Sequence, residues 1–310
     1  MREKVTILGA GNVGATTASW IAARGLGDVV LLDVVEGVPQ GKGLDLYEAT
    51  PLLGRSVKVS GTGDYAATAG SAVVVVTAGV ARKPGMSRDD LLKVNQEVVS
   101  AVVREAAAAS TDAIFIVVSN PVDVMTYVAQ KVSGLPYPRV MGMAGVLDSA
   151  RFRTFLAEAL SISVRDISAF VMGGHGDQMV PLVRYSSAGG IPIERLLGAE
   201  TIEQIVDRTR KGGGEIVNLL KQGSAFYAPG AAVTEMVEAI LLDEKRLLPT
   251  VAHLQGEYGE DDVYVGVPAV LGRGGVERIM EIDFTPEERR RFQASVEAVR
   301  GPLAMLGYGT

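Results

Sequence analysis

The chain carries two histidines, His175 and His253. His175 stands in Gly-Gly-His-Gly-Asp (173–177), where flanking glycines leave an imidazole uncovered. An imidazole titrates near neutrality and can exchange a proton with a substrate hydroxyl. It needs an acceptor to fix its tautomer, and Asp148 in Val-Leu-Asp-Ser-Ala-Arg-Phe-Arg (146–153) is one candidate. Arg151 falls on the same helical face as Asp148. On spacing alone the pair reads more simply as a surface ion pair. His253, set among alternating apolar neighbours, reads as a structural strand residue. Neither histidine has companion ligands at a usable spacing, so no metal site is expected.

A second cluster lies near the start. Leu-Gly-Ala-Gly-Asn-Val-Gly (8–14) places Gly9, Gly11 and Gly14 in GxGxxG spacing, with Ala10, Asn12 and Val13 between them. A lone glycine motif is weak, but this one follows an apolar run, opens a helix-length segment and is followed by Asp33 at the end of the next apolar run. Together these features describe a dinucleotide site. Gly9 permits the tight turn, Gly11 lets the backbone approach a pyrophosphate, and Gly14 allows close helix–strand packing. The helix N-terminus offers free N–H groups to the anion. Asp33 would accept hydrogen bonds from ribose hydroxyls and repel a 2′-phosphate, which favours NAD over NADP.

A third stretch, Gly-Val-Ala-Arg-Lys-Pro-Gly-Met-Ser-Arg (79–88), presents Arg82, Lys83 and Arg88 directly after the apolar run Val73–Val76. Two readings stand here. Either the loop is simply solvated, or it holds something anionic.

The elements that must position these residues have two rhythms. In the first half, short β-branched runs (5–8, 29–32, 57–59, 73–76 and 114–118) alternate with amphipathic segments such as 15–24 and 89–109. Continuous apolar strands separated by helices predict an α/β domain with a parallel sheet covered on both faces. From about residue 145 the rhythm changes. A helix from Leu147, long helices over 202–221 and 225–242, strands over 250–254 and 263–271, and a terminal helix at Thr285-Pro286 predict a mixed α+β second domain. The expected division is 1–144 and 145–310.

Composition narrows the function classes. The 310 residues include no cysteine, and the net charge is −6 without a long basic run. That argues against nucleic acid or an anionic membrane as partner. Mean hydropathy is +0.23, yet no apolar run reaches the roughly 18 residues a membrane span requires. A strand pattern begins almost at once, so no signal or transit peptide is expected, and the absence of cysteine fits a cytoplasmic location. Arginine outnumbers lysine and only four asparagines occur, composition that fits a heat-tolerant source.

The segments Ile-Leu-Gly-Ala-Gly-Asn-Val-Gly, Arg-Lys-Pro-Gly-Met-Ser-Arg, Val-Val-Ser-Asn-Pro-Val-Asp, Gly-Val-Leu-Asp-Ser-Ala-Arg-Phe-Arg and Gly-Gly-His-Gly-Asp occur here in the order found in the lactate/malate dehydrogenase family. The sequence resembles that family over essentially its whole length. The resemblance implies a Rossmann domain followed by a mixed α+β catalytic domain, NAD as cofactor and a 2-hydroxy acid as substrate. By it, His175 is the proton acceptor and Asp148 its partner. Arg151 would hold the substrate's C1 carboxylate, Arg88 would polarise the reacting carbonyl, and Asn120 would hydrogen-bond the same oxygen. Asn95 and the turn Val118-Ser119-Asn120 are expected to touch the cofactor, with a cis peptide at Asn120–Pro121.

The family pattern also bears on the arginine loop. Members acting on lactate usually carry glutamine just before the Lys-Pro pair, facing a methyl group. This sequence carries Arg82 there, which suits a second carboxylate. Gly223-Ser-Ala-Phe-Tyr-Ala228 likewise lacks the threonine that lactate enzymes often place beside the pocket. A small dicarboxylate, malate or oxaloacetate, is the expected substrate, and a homo-oligomer of four or two copies the expected assembly.

Overall fold

The computed structural model describes residues 2–80 and 87–309; Arg82 and Lys83 lie outside them. The chain divides into two compact units. The first comprises residues 1–143, 226–247 and 270–278, and the second 144–225, 248–269 and 279–310. This differs from a single cut at residue 144, because two later segments return to the first unit.

In the first unit the strands are β1 (Lys4–Leu8), β2 (Asp28–Leu32), β3 (Val59–Thr62), β4 (Val73–Val76), β5 (Ile114–Val117) and β6 (Val140–Gly142). All pair in parallel, in the order β3-β2-β1-β4-β5-β6. The order reverses beside β1, which pairs β2 on one side and β4 on the other through Val5↔Val29 and Val5↔Val73. A doubly wound sheet opens its ligand crevice at that reversal, outside the carboxyl ends of the strands. Val73 to Val76 are wholly buried, as expected for a strand covered on both faces.

The connecting helices are α1 (Asn12–Arg24), α2 (Val38–Ala49), α3 (Arg88–Ala109) and α4 (Val122–Ser133). Ser87 caps α3 through a reciprocal capping box with Asp90. Helix α2 has no apolar stripe to betray it and holds Pro39, Gly41 and Gly43. It lies against β3 because both surfaces lack side chains. A Cβ on Gly43 would sit 2.6 Å from Gly61 N, and one on Gly61 1.7 Å from Pro39 O. Helix α7 (Tyr227–Leu241) returns to the first unit and packs on α1, where a Cβ on Gly230 would be 2.9 Å from Thr16 Cγ2.

The second unit is built on α5 (Gly145–Leu160), α6 (Ala199–Leu220) and α8 (Pro286–Met305). Short strands lie between α5 and α6: β7 (Ile167–Ser168), β8 (Val171–Met172), β9 (Val180–Pro181), β10 (Ser187–Ala188) and β11 (Ile191–Pro192). Two residues each, they are too brief for a period to show in sequence. The longer β12 (Arg246–Gln255) and β13 (Asp261–Gly272) follow and lie mostly in this unit, whereas β14 (Gly275–Ile279) falls with the segment 270–278 of the first unit. Phe152 and Leu156 of α5 pack with Ile167, Val171, Ile202, Ile205 and Val206 in one buried cluster. That packing fixes the helix face carrying Asp148 and Arg151. Thr285 caps α8 with Glu288 in a second capping box.

Candidate active site

The glycine loop of the first unit has the geometry a pyrophosphate requires. Gly9 has φ +107°, a left-handed conformation, and a Cβ there would be 2.8 Å from Thr77 Oγ1. At Gly14 a Cβ would fall 1.9 Å from Gly9 O, so only glycine fits. Around Gly11 nothing stands within 4 Å of a Cβ position. Gly11 is the N-cap of α1, offers no capping side chain, and the first turn holds no acidic residue. The first N–H groups of α1 therefore meet no anion from the helix itself. Asp33 accepts from Ala10 N (2.7 Å) with Oδ2 and from Val35 N (3.0 Å) with Oδ1, which holds its carboxylate at the end of β2. A carboxylate oxygen has two lone pairs, so both retain capacity for ribose hydroxyls. These residues fit NAD.

Around the ends of β4 and β5 a hydrogen-bonded turn adjoins the loop. Ser119 donates to Ala78 O, and Val118 N donates to Val76 O. Asn95 is buried, and its amide is engaged by backbone: Oδ1 accepts from Val80 N, and Nδ2 donates to Val80 O and Asn120 O. Asn95 thus joins the chain leaving β4 to the turn leaving β5. The Asn120–Pro121 peptide is cis, and Asn120 is exposed just ahead of α4. Arg88, read from sequence as the last residue of a loop, is instead the first residue of α3, with its side chain exposed. Arg82 falls outside the described residues.

The second unit assembles the proton-transfer group. Asp148, in the first turn of α5, is 1% exposed. Its Oδ2 lies 2.8 Å from His175 Nδ1, and its Oδ1 accepts from Arg151 Nη1 at 2.9 Å. The pair suggested by spacing is therefore part of a three-residue cluster in which Asp148 is buried and Arg151 and His175 are partly exposed. A carboxylate on Nδ1 selects the tautomer with its proton there and the lone pair on Nε2. The arrangement can take a proton at one nitrogen while an anion at the other stabilises the resulting imidazolium.

Three features that sequence reasoning missed hold the cluster and the loop. Ser149 Oγ accepts from Val171 N, tying α5 to the strand that leads to His175. Ser295, on α8 and wholly buried, accepts from Gly174 N and donates to Gln178 O, bracing the glycine turn on both sides of His175. Gly173 has φ +80°, and a Cβ there would lie 2.7 Å from Ser295 Oγ. Lys42 of α2 donates to Ala10 O at 2.7 Å, opposite the bond Asp33 makes to the same residue. Ser295 and Lys42 belong to no motif, and Ser149, although inside Gly-Val-Leu-Asp-Ser-Ala-Arg-Phe-Arg, carries no signal of its bond to Val171. Ser295→Ala should leave the buried Gly174 N–H without its partner, at about 1–3 kcal/mol, and also remove the part-buried bond to Gln178 O. The expected result is a lower Tm together with a lower kcat. A Tm drop with unchanged kcat would show that the brace does not set the His175 turn.

His253, in β12, pairs with Asp262 through Nε2 at 3.0 Å and is buried, in keeping with a structural strand residue. Among the described residues, no group of three or more His, Asp or Glu side chains could hold a metal ion.

Comparison with known proteins extends the geometry. Residues 3–142 match the model of the lactate/malate dehydrogenase NAD binding domain, and residues 145–303 that of the lactate/malate dehydrogenase alpha/beta C-terminal domain. The chain is 60% identical over 305 residues to a malate dehydrogenase of Desulforudis audaxviator, covering 98% of this chain and 99% of that one. It superposes on a malate dehydrogenase from Salinibacter ruber with a TM-score of 0.95 at 51% identity, covering 98% and 97% of the two chains. A lactate dehydrogenase from Cryptosporidium parvum, complexed with lactic acid and β-nicotinamide adenine dinucleotide, superposes with a TM-score of 0.96 at 41% identity, covering 100% and 99%.

Proposed function

The chain belongs to the lactate/malate dehydrogenase family, and on that premise we propose that it is an NAD-dependent malate dehydrogenase interconverting (S)-malate and oxaloacetate. The observation that carries the chemistry is Asp148 bound at once to His175 Nδ1 and to Arg151. In malate oxidation, neutral His175 takes the hydroxyl proton on Nε2, and Asp148 stabilises the imidazolium. Arg151 holds the C1 carboxylate. A guanidinium has five N–H donors and Asp148 engages one of them, so a paired contact with a carboxylate remains open. Arg88 and Asn120 are assigned to the C2 oxygen, and Arg82 to the second carboxylate. NAD, when bound, accepts the hydride from C2. Gly9 through Gly14 cradle its pyrophosphate, Asp33 its adenosine ribose, and Val118 and Ser119 line its nicotinamide end. Asn95 and Asn120 are assigned to the cofactor as well, and Asn95 also fixes the backbone at Val80 and Asn120.

A lactate enzyme is the second reading, because the fold superposes on a lactate dehydrogenase as closely as on a malate dehydrogenase. Fold therefore does not choose between substrates. The higher identity to malate enzymes and the arginine at position 82 favour malate. Initial rates of NADH oxidation with oxaloacetate and with pyruvate test the choice; a preference for pyruvate overturns it.

We propose further that the protein is cytoplasmic and assembles as a homo-oligomer of four or two copies. The exposed apolar side chains Trp20, Leu44, Tyr47 and Leu52 supply surface for a second copy to cover. Light scattering measures the assembly, and a monomer would remove it.

Cofactor choice follows from Asp33. Its carboxylate, fixed by two backbone N–H groups, meets ribose hydroxyls in NADH and a 2′-phosphate in NADPH. One partly screened charge repulsion is worth on the order of one to a few kcal/mol. NADH should exceed NADPH in kcat/KM accordingly, and Asp33→Ser should narrow the gap. Equal kcat/KM for the two cofactors in the wild type would remove Asp33 from discrimination.

A further inference from the structure

Helix α6 contains three consecutive glycines, Gly212, Gly213 and Gly214, in the interior of its 22 residues. Glycine is the poorest helix former apart from proline, so three in a row weaken the helix unless something requires them. Its buried stripe runs Ile202, Ile205, Val206, Thr209 and then Gly212. Position 212 thus falls where the pattern calls for an apolar side chain facing α5. The space is taken by Arg151. A Cβ on Gly212 would stand 3.2 Å from Arg151 Cδ and 3.6 Å from its Nε, and one on Gly213 would stand 3.7 Å from Nη2. A Cβ on Gly214 would meet nothing within 4 Å.

Arg151 is held from one other side. Its Nη1 donates to Asp148, while its Nε is buried with no hydrogen-bond partner. No acceptor at Nε fixes the plane of the guanidinium. We infer that Gly212, and to a lesser degree Gly213, are positioning residues whose bare backbone forms the seat on which the Arg151 side chain lies. A methyl group at 212 would push the Arg151 stem by a few tenths of an ångström. The guanidinium, at the end of that stem, must meet both oxygens of a carboxylate, and paired contacts tolerate little displacement. This inference rests on the reading of Arg151 as the anchor of the substrate carboxylate.

The test compares Gly212→Ala, Gly213→Ala and Gly214→Ala, each alone, with Arg151→Gln and the Gly212→Ala/Arg151→Gln double variant. Readouts are kcat and KM for oxaloacetate at saturating NADH, NADH affinity, and Tm. Gly214→Ala should raise Tm by about 1–3 °C through helix propensity and leave KM unchanged. Gly212→Ala should raise KM roughly three- to tenfold with NADH affinity unchanged, and gain less in Tm because the methyl presses on Arg151. Gly213→Ala should fall between. In the Arg151→Gln background Gly212→Ala should add nothing, since the seated side chain is gone.

Equal KM increases at 212 and 214 would overturn the inference in favour of a helix that must flex. A wild-type KM in Gly212→Ala would overturn it outright. If Arg151→Gln itself leaves the KM for oxaloacetate unchanged, the assignment of Arg151 fails, and with it this inference. If Arg151→Gln raises KM while Gly212→Ala is silent, the seat alone fails.

Discussion

Replacing His175 by asparagine is expected to lower kcat by roughly 10²-fold or more, the usual scale for a lost acid–base group, while NADH binds nearly as before. The two effects separate because the residues assigned to NADH, Gly9 to Gly14, Asp33, Asn95 and the 118–120 turn, are distinct from His175, whose Nδ1 pairs with Asp148. Asparagine retains polarity but has no basic nitrogen, so the hydroxyl proton has no acceptor of matched pKa. Asp148→Asn should behave differently. Asp148 touches both His175 and Arg151, so the amide removes the anion that stabilises the imidazolium and the one that aligns the guanidinium. The expected result is a fall in kcat combined with a rise in KM for oxaloacetate. Steady-state kinetics with a fluorescence titration of NADH separates these outcomes. Unchanged turnover in His175→Asn would remove His175 from the mechanism. An Asp148→Asn enzyme with wild-type kinetics and only a lower Tm would reduce the cluster to a structural ion pair.

What the sequence made legible was local. Gly9, Gly11, Gly14 and Asp33 sit within one strand–helix–strand unit, so spacing along the chain reports spacing in the fold. The continuous apolar strands announced the parallel sheet for the same reason. Spacing could also place Asp148 and Arg151 on one helix face, but not reveal that the face is buried. That burial depends on Phe152 and Leu156 packing with residues as distant as Val206. Ser295 is invisible for a similar reason, since it reaches Gly174 from a helix more than a hundred residues away. Helix α2 was hidden because its contact with β3 is made by absent side chains, at Gly43 and Gly61. The return of residues 226–247 and 270–278 to the first unit has no local signal either. Asn95 shows a different limit. The resemblance suggested contact with the cofactor, and no spacing along the chain could add that its amide also engages the backbone of two turns.

Arg82→Gln is expected to lower kcat/KM for oxaloacetate by several orders of magnitude and to raise it for pyruvate. The two substrates share a carboxylate and a carbonyl and differ at C3, where oxaloacetate carries a second carboxylate and pyruvate a hydrogen. Arg151 and Arg88 are assigned to the shared groups, and by the family resemblance Arg82, just before Lys83-Pro84, is assigned to the group that differs. A guanidinium meeting a carboxylate makes two charge-assisted hydrogen bonds. Facing a methyl group, the same desolvated cation has no counter-ion, at a cost on the order of several kcal/mol. Discrimination then arises as much from rejecting pyruvate as from attracting oxaloacetate. Glutamine removes the attraction and the penalty together, so the two substrates must move in opposite directions. Arg88→Gln supplies the contrast. Its proposed target is the carbonyl oxygen common to both substrates, so both should lose rate alike. The measurement is kcat/KM for each substrate with each variant at saturating NADH. Equal weakening of oxaloacetate and pyruvate in Arg82→Gln would make Arg82 a solvated loop residue, and the second carboxylate would have to be recognised elsewhere in the chain.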